Sequence, residues 1–136
     1  MDDKELVKAA LLARTYSYSP YSGYQVGAAL LGANGKVYTG CNVENAAYTP
    51  TNCAERTAFF KAVSEGVRSF QKIAIAGSPE GEVTQYATPC GVCRQVMTEF
   101  CNPQEFQIIV AKSETDYKVF YLCELLPEGF GPENVK

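Results

Sequence analysis

Cys53 and Glu55 stand two residues apart in the stretch TNCAERTAFF, and Cys90 and Cys93 form the only close cysteine pair, in TPCGVC. Thiols and a carboxylate in such patterns can do disulfide exchange, metal ligation, or proton transfer beside a bound ion. The chain has no histidine, so neither a histidine ligand nor a histidine base is available. Cys90 and Cys93, three apart on one helical turn, can aim their sulfurs at one point. Cys53 opens a different helix. Both helix starts carry unpaired N–H groups and a partial positive charge, which favour the thiolate that binds metal. Three thiolates from two helix ends suit a soft ion, and zinc, at about 2.3 Å from each sulfur, is the leading candidate.

A structural zinc site closes itself with four protein ligands, whereas a catalytic one leaves a position for water. The spare thiols are Cys41, Cys101 and Cys123. Cys41 has strand parity opposite to Asn42 and Glu44 and should face away from what they line. Cys101 is more than two turns past Cys93 and cannot reach the same point. The open arrangement is therefore favoured over the closed one. Glu55 has two readings: the capping-box partner of Asn52, or the acid/base nearest a bound water. Three thiolates leave Zn²⁺ with a net charge near −1, which Arg56 or Arg94 could offset by donating to sulfur. Asn42 and Glu44 share a strand face and form either a hydroxyl-binding pair or a solvated strand end. Tyr24 is either a stacking ring or an ordinary core or surface aromatic.

The elements that must position these residues follow from periodicity and turn chemistry. Residues 3–16 place Leu6, Val7, Ala10, Leu11 and Ala13 at helical spacing. A turn-rich loop, YSYSPYSGY, leads to two strands at about 25–32 and 36–44, joined at Asn34-Gly35 by a two-residue turn with positive φ at both positions. The spacing predicts a helix from Cys53 to Glu65 stopped by Gly66, then a buried strand, KIAIAGS. Thr88 is expected to cap the next helix with Pro89 as its first residue. FQIIVAK and YKVFY read as strands and LCELLP as a short terminal helix. Strand–helix–strand units need crossovers, so the expected architecture is a three-layer α/β/α sandwich around a mixed five-stranded sheet, a single domain over residues 1–136.

The charge balance, 12 basic against 15 acidic side chains with the bases scattered, argues against a nucleic-acid partner. No apolar run approaches the roughly 20 residues of a membrane span, and the opening MDDKELVKAALLAR has acids where a secretion signal has bases. A cytoplasmic protein without a membrane partner is expected.

The stretches YSPYSGYQVGAALL, CNVENAAYTPTNCAERTAFFKAVSEG, PCGVCRQV and LLPEGF resemble the small, homotetrameric, three-cysteine cytidine deaminases from about residue 14 to residue 130. C-A-E followed 34 residues later by P-C-x-x-C is a specific pattern, whereas C-x-x-C alone is weak. The resemblance implies one zinc per subunit on Cys53, Cys90 and Cys93, with Glu55 moving protons as cytidine or deoxycytidine is hydrolysed to uridine or deoxyuridine and ammonia in pyrimidine salvage. It further implies that Asn42 and Glu44 hold the ribose 3′-hydroxyl, that the Ala54 backbone touches the base and that Arg56 donates to the ligand sulfurs. By the same resemblance Phe130 reaches a neighbouring subunit's site and packs on the pyrimidine. Tyr24 stands where the family commonly has phenylalanine, and the loop SPEGEVTQYATPC is longer than the family pattern; both bear on substrate preference. Rival readings are a same-fold deaminase acting on an aminonucleoside antibiotic or on a base within RNA, a disulfide oxidoreductase using CGVC, and a structural zinc module.

Overall fold

The computed structural model describes residues 1–136. Five strands form one sheet in the order β2-β1-β3-β4-β5: β1 (Tyr24–Gly32), β2 (Val37–Cys41), β3 (Phe70–Pro79), β4 (Gln107–Ala111) and β5 (Tyr117–Tyr121). Only β3 and β4 run parallel, because α3 (Gly91–Phe100) carries the chain across between them; the other neighbours are antiparallel. The central strands are apolar along their length because both faces are covered. Ala28, Leu30, Ile73, Ile75, Ile108 and Val110 face α2 (Ala54–Ser64) and α3. Ala29, Leu31, Ala74, Ile109 and Ala111 face Leu6, Val7 and Ala10 of α1 (Asp3–Arg14). The period-two alternation of strand side chains thus divides the core into two halves, giving the expected mixed five-stranded α/β/α sandwich. No helix is long and apolar enough to cross a membrane.

Two glycines let helices lie directly on strands. A Cβ at Gly27 would overlap the backbone of α1 at Ala10 and Arg14, and one at Gly40 would stand 2.5 Å from the Ala54 carbonyl oxygen. Helix α2 is anchored by Phe59, fully buried, whose ring meets those of Phe70, Phe100 and Phe106 at centroid distances of 5.0, 6.2 and 6.1 Å. Burial of such a ring contributes about 1.5–3 kcal/mol. Phe59 lies one turn after Glu55, so the packing that seats the ring also fixes which way Glu55 points.

Local expectations at two turns need correction. Asn34-Gly35 is not a two-residue turn with two left-handed positions: only Gly35 has positive φ, +83°. Gly35 N–H donates to Gly32 O and Gly32 N–H to Lys36 O, a longer hairpin in which Asn34 Oδ1 accepts from Lys36 N. The second correction concerns α3, which begins at Gly91 with Cys90 as its cap residue, so Thr88 and Pro89 precede it. The β2 ladder stops at Cys41; beyond it Val43 makes only isolated bridges to Tyr18 and Asn52. Gly66 has the expected left-handed conformation, φ +93°.

Candidate active site

Cys53 and Cys90 are the cap residues of α2 and α3, and neither uses its side chain to cap. Cys93 is one turn into α3. The three sulfurs lie within 4.8 Å of one another, with Cys53 Sγ and Cys90 Sγ 3.6 Å apart. A tetrahedral zinc with sulfurs at about 2.3 Å holds them about 3.8 Å apart, so the trio fits a single ion with small adjustments. The thiols interact strongly. A hydrogen bond from Cys93, then those from Arg56 and Cys90, hold Cys53 down to about 5, while the shared bond and burial push Cys93 well above the usual thiol range. The free thiols cannot all ionise together without a cation among them, and a divalent ion is the group that relieves this.

Arg56 sits on the same turn of α2. Its Nη2 donates to Cys53 Sγ at 3.2 Å, and its Nε is buried with no partner. Burial opposes its charge, but the hydrogen bonds to Cys53 and Cys93 outweigh this and raise its pKa above the ordinary value. Arg94 points elsewhere. Its Nε donates to Pro89 O and its Nη1 to Leu125 O, tying α3 to the short helix α4 (Leu122–Leu125). Of the two arginines considered from sequence, Arg56 alone donates to a ligand-set sulfur.

Glu55 is 4% exposed on the buried stripe Ala54, Glu55, Ala58, Phe59, Ala62. No capping box forms; the Asn52 amide donates instead to Thr57 Oγ1. Burial, reinforced by the Cys53 charge, pushes the Glu55 carboxyl up to about 7. A carboxylate on a core stripe is costly to bury, and a strongly shifted one beside a cavity marks a functional group. That signal, a charge at an apolar position one turn before Phe59, is readable from sequence.

Glu55, Cys53 and Cys90 line a cavity of about 520 Å³ with Tyr24, Asn42 and Glu44. Asn42 is largely committed to the fold: Oδ1 accepts from Ser17 Oγ and Val26 N, and Nδ2 donates to Tyr24 O at 2.8 Å. One amide N–H remains for a ligand. Glu44 accepts from the N–H groups of Tyr21 and Ser22 at 3.0 and 3.1 Å and from Ser22 Oγ. The Ser22 hydroxyl, foremost, holds its carboxyl below the usual range despite some opposing desolvation. Ala54 is the buried first residue of α2, between Cys53 and Glu55. Cys41 lines a separate cavity beside α1 and donates to Tyr16 O. Phe130 is 61% exposed and is absent from this chain's cavity, its carbonyl held by Gln95 Nε2.

The cavity also gathers residues that sequence reading did not single out. Ser22 fixes Glu44, and Gln85 and Tyr86 form part of the wall. Gln85 Nε2 donates to Tyr24 Oη at 2.8 Å. The length of the 78–90 loop was the available signal, but no local period tells which of its residues turn inward.

Residues 1–109 match the family described as the cytidine and deoxycytidylate deaminase zinc-binding region. The chain is 47% identical to a cytidine deaminase of Sporosarcina psychrophila over 99% of its length and 96% of the relative, and 46% identical to that of Halalkalibacterium halodurans over 99% and 98%. The crystal structure of cytidine deaminase from Burkholderia pseudomallei superposes with a TM-score of 0.87 at 44% identity, covering 96% of this chain and all of that one. Sequence, sheet order and the sulfur-and-carboxylate geometry agree, and the chain belongs to the cytidine and deoxycytidylate deaminase family of zinc-binding enzymes.

Proposed function

We propose that this single domain, residues 1–136, hydrolyses cytidine and deoxycytidine to uridine and deoxyuridine with release of ammonia, a step of pyrimidine salvage in the cytoplasm. The observation that carries the reading is the placement of Glu55, buried beside three convergent sulfurs and open to a cavity large enough for a nucleoside. A zinc ion held by Cys53, Cys90 and Cys93 supplies Lewis-acid activation of water. Glu55 then does the proton work: its carboxylate takes a proton from the attacking water and delivers it to N3 as the new C4–O bond forms. The carboxylate next moves the hydroxyl proton to the amino nitrogen, and the C4–N bond breaks with departure of ammonia. The balance is one water consumed and one ammonia released, with no oxidant or reductant.

Arg56 offsets the charge of the thiolates and orients Cys53. The free N–H of Asn42 and the remaining acceptor capacity of Glu44 suit the ribose 3′-hydroxyl. The Ala54 backbone, at the helix start, offers the base a polar contact, and the Tyr24 ring forms an apolar wall. The cavity lining includes two carboxylates and no lysine or arginine, which favours an uncharged nucleoside over a nucleotide or RNA. A homotetramer is inferred in which Phe130 packs into a neighbour's site; its exposure supports this.

The test is turnover of cytidine, deoxycytidine and a cytosine oligonucleotide before and after zinc removal. Turnover of the nucleosides, lost with zinc and restored by it, is expected. Activity on the oligonucleotide alone, or metal-free protein that reduces disulfides, would sink the proposal. Mass photometry together with Phe130→Ala tests assembly: an active monomer would refute the shared site.

A further inference from the structure

Tyr24 carries a hydroxyl, and that group meets a side chain of the long 78–90 loop, Gln85. Gln85 Nε2 donates to Tyr24 Oη at 2.8 Å across 61 residues of sequence. The ring itself lies over Gly77 of β3: a Cβ built there would come within 3.3 Å of Tyr24 Cε1 and 3.2 Å of Ala87 Cβ. The same loop is fastened at the next residue. Tyr86 donates its hydroxyl to Asp116, and the ammonium groups of Lys112 and Lys118 sit 4.5 and 4.4 Å from the centroid of its ring. Asp116 and Lys112 belong to the turn between β4 and β5, and Lys118 to β5 itself. Gln85, Tyr86 and Tyr24 all line the cavity that holds Glu55.

We propose that Gln85 is a positioning residue for substrate: tethered to the β4–β5 hairpin through Tyr86, it clasps the Tyr24 hydroxyl and fixes that ring over Gly77 as the wall against which the nucleoside packs. The proposal rests on the nucleoside reading above. Gln85 acts through Tyr24 and touches no reacting atom. Loss of the clasp frees a ring with two rotatable bonds in the wall of the site, and that freedom must be given up each time substrate binds. The effect therefore falls on KM. Glu55 and Cys53 are set by α2, and Cys90 and Cys93 by the start of α3, five or more residues past Gln85, so kcat is held within twofold.

The experiment is a set of variants in the zinc-loaded enzyme: Gln85→Ala, Tyr24→Phe, both together, and Gln85→Glu in the parent and Tyr24→Phe backgrounds. One neutral hydrogen bond corresponds to roughly a fivefold change, so Gln85→Ala and Tyr24→Phe each raise KM for cytidine about three- to tenfold with kcat within twofold. The double variant is no worse than either single one. Gln85→Glu, which can accept from the tyrosine hydroxyl, keeps KM near the parent value in the parent background and gives no such benefit in the Tyr24→Phe background, where the hydroxyl is gone. Multiplicative single effects, an equal Gln85→Glu effect in both backgrounds, or a fall in kcat without change in KM overturns the proposal. A crystal structure of Gln85→Ala tests the clasp whatever the substrate. A Tyr24 ring displaced or disordered over Gly77 supports it; a ring held in place overturns it. Failure of the parent enzyme to turn over cytidine, by contrast, sinks only the substrate reading.

Discussion

Replacing Gly40 by alanine should loosen the fold modestly and damage turnover severely. A Cβ at this position would stand 2.5 Å from Ala54 O, 2.6 Å from Ala58 N and 3.0 Å from Thr57 Cβ. Nonbonded carbon contacts settle near about 3.5 Å, so strand and helix must part by roughly 0.5–1 Å. The two most crowded atoms are backbone atoms of α2 and cannot rotate away. Overpacking of this kind destabilises by about 1–3 kcal/mol, or roughly 3–10 °C in Tm for a chain of this size. The displaced segment, however, is the turn that carries Cys53 and Glu55 on either side of Ala54. Misplacing reacting groups by about 1 Å can lower a rate about 100-fold. The assay pairs a thermal melt with cytidine kcat, measured well below the melt at equal zinc content. A variant with unchanged Tm would show that α2 does not rest on Gly40. A lowered Tm with kcat intact would refute the claim that this contact aims the site.

Glu55→Gln should keep about one zinc per chain and hold or raise Tm, because a neutral amide replaces a carboxyl disfavoured by burial; deamination should fall about 100- to 10,000-fold. Activity near the parent level, measured as ammonia release, would remove Glu55 from the proton pathway. Arg14→Met should cost about 2–4 kcal/mol in urea unfolding with an unchanged m-value. Arg14 is 9% exposed and donates to Ser78 Oγ at 2.7 Å, Pro79 O at 2.8 Å and Gln25 O at 3.2 Å, all of which would lose a donor. A loss under 0.5 kcal/mol, on the order of a surface change, would show those acceptors to be satisfied otherwise. Glu44, whose carboxyl is held below its ordinary value of 4.5, lends stability that is present above that value and lost as pH falls through the lowered one. Stability of the parent should therefore decline more steeply with acid in that window than stability of Glu44→Gln; equal slopes would refute the assignment.

The sheet was legible because its apolar runs are long and bounded by turn residues, and β3, buried along Ile73 to Ser78, could hardly be anything else. The sulfur cluster was legible because local spacing fixes each half: the cap and a first-turn position of α3, three residues apart, and the cap of α2. What escaped was decided at long range. Thr88 has a capping side chain, yet the Cys90 backbone takes the cap, since α3 starts where its thiols must converge. Arg94 follows directly on Cys93, but helical rotation turns it toward Pro89 and Leu125. Asn42 seemed free for ligand, and only its partners on β1 and in the 15–23 loop show how much of its amide is structural. Gln85 sits in a segment without periodicity, 61 residues from its partner.

One end of the sheet carries all of the site for a topological reason. Tyr24 at the start of β1 pairs with Pro79 at the end of β3, and Cys41 at the end of β2 pairs with Gly27 near the start of β1. Parallel pairing of β3 with β4 puts the end of β4 on the same side, where Ala111 pairs with Tyr117 at the start of β5. Four connections thus emerge together: 15–23, 42–53, 80–90 and 112–116. They supply Ser22, then Asn42, Glu44 and Cys53, then Gln85, Tyr86 and Cys90, then Asp116. Helices α2 and α3 both start at this edge, so their N-termini, the ends that favour thiolates, point into one cavity. In open α/β sheets a ligand crevice forms outside the carboxyl ends of parallel strands. Here the antiparallel neighbours extend that crevice sideways, so the Tyr24 wall on β1 comes from a separate element and can change without moving the start of α2, which carries both Cys53 and Glu55.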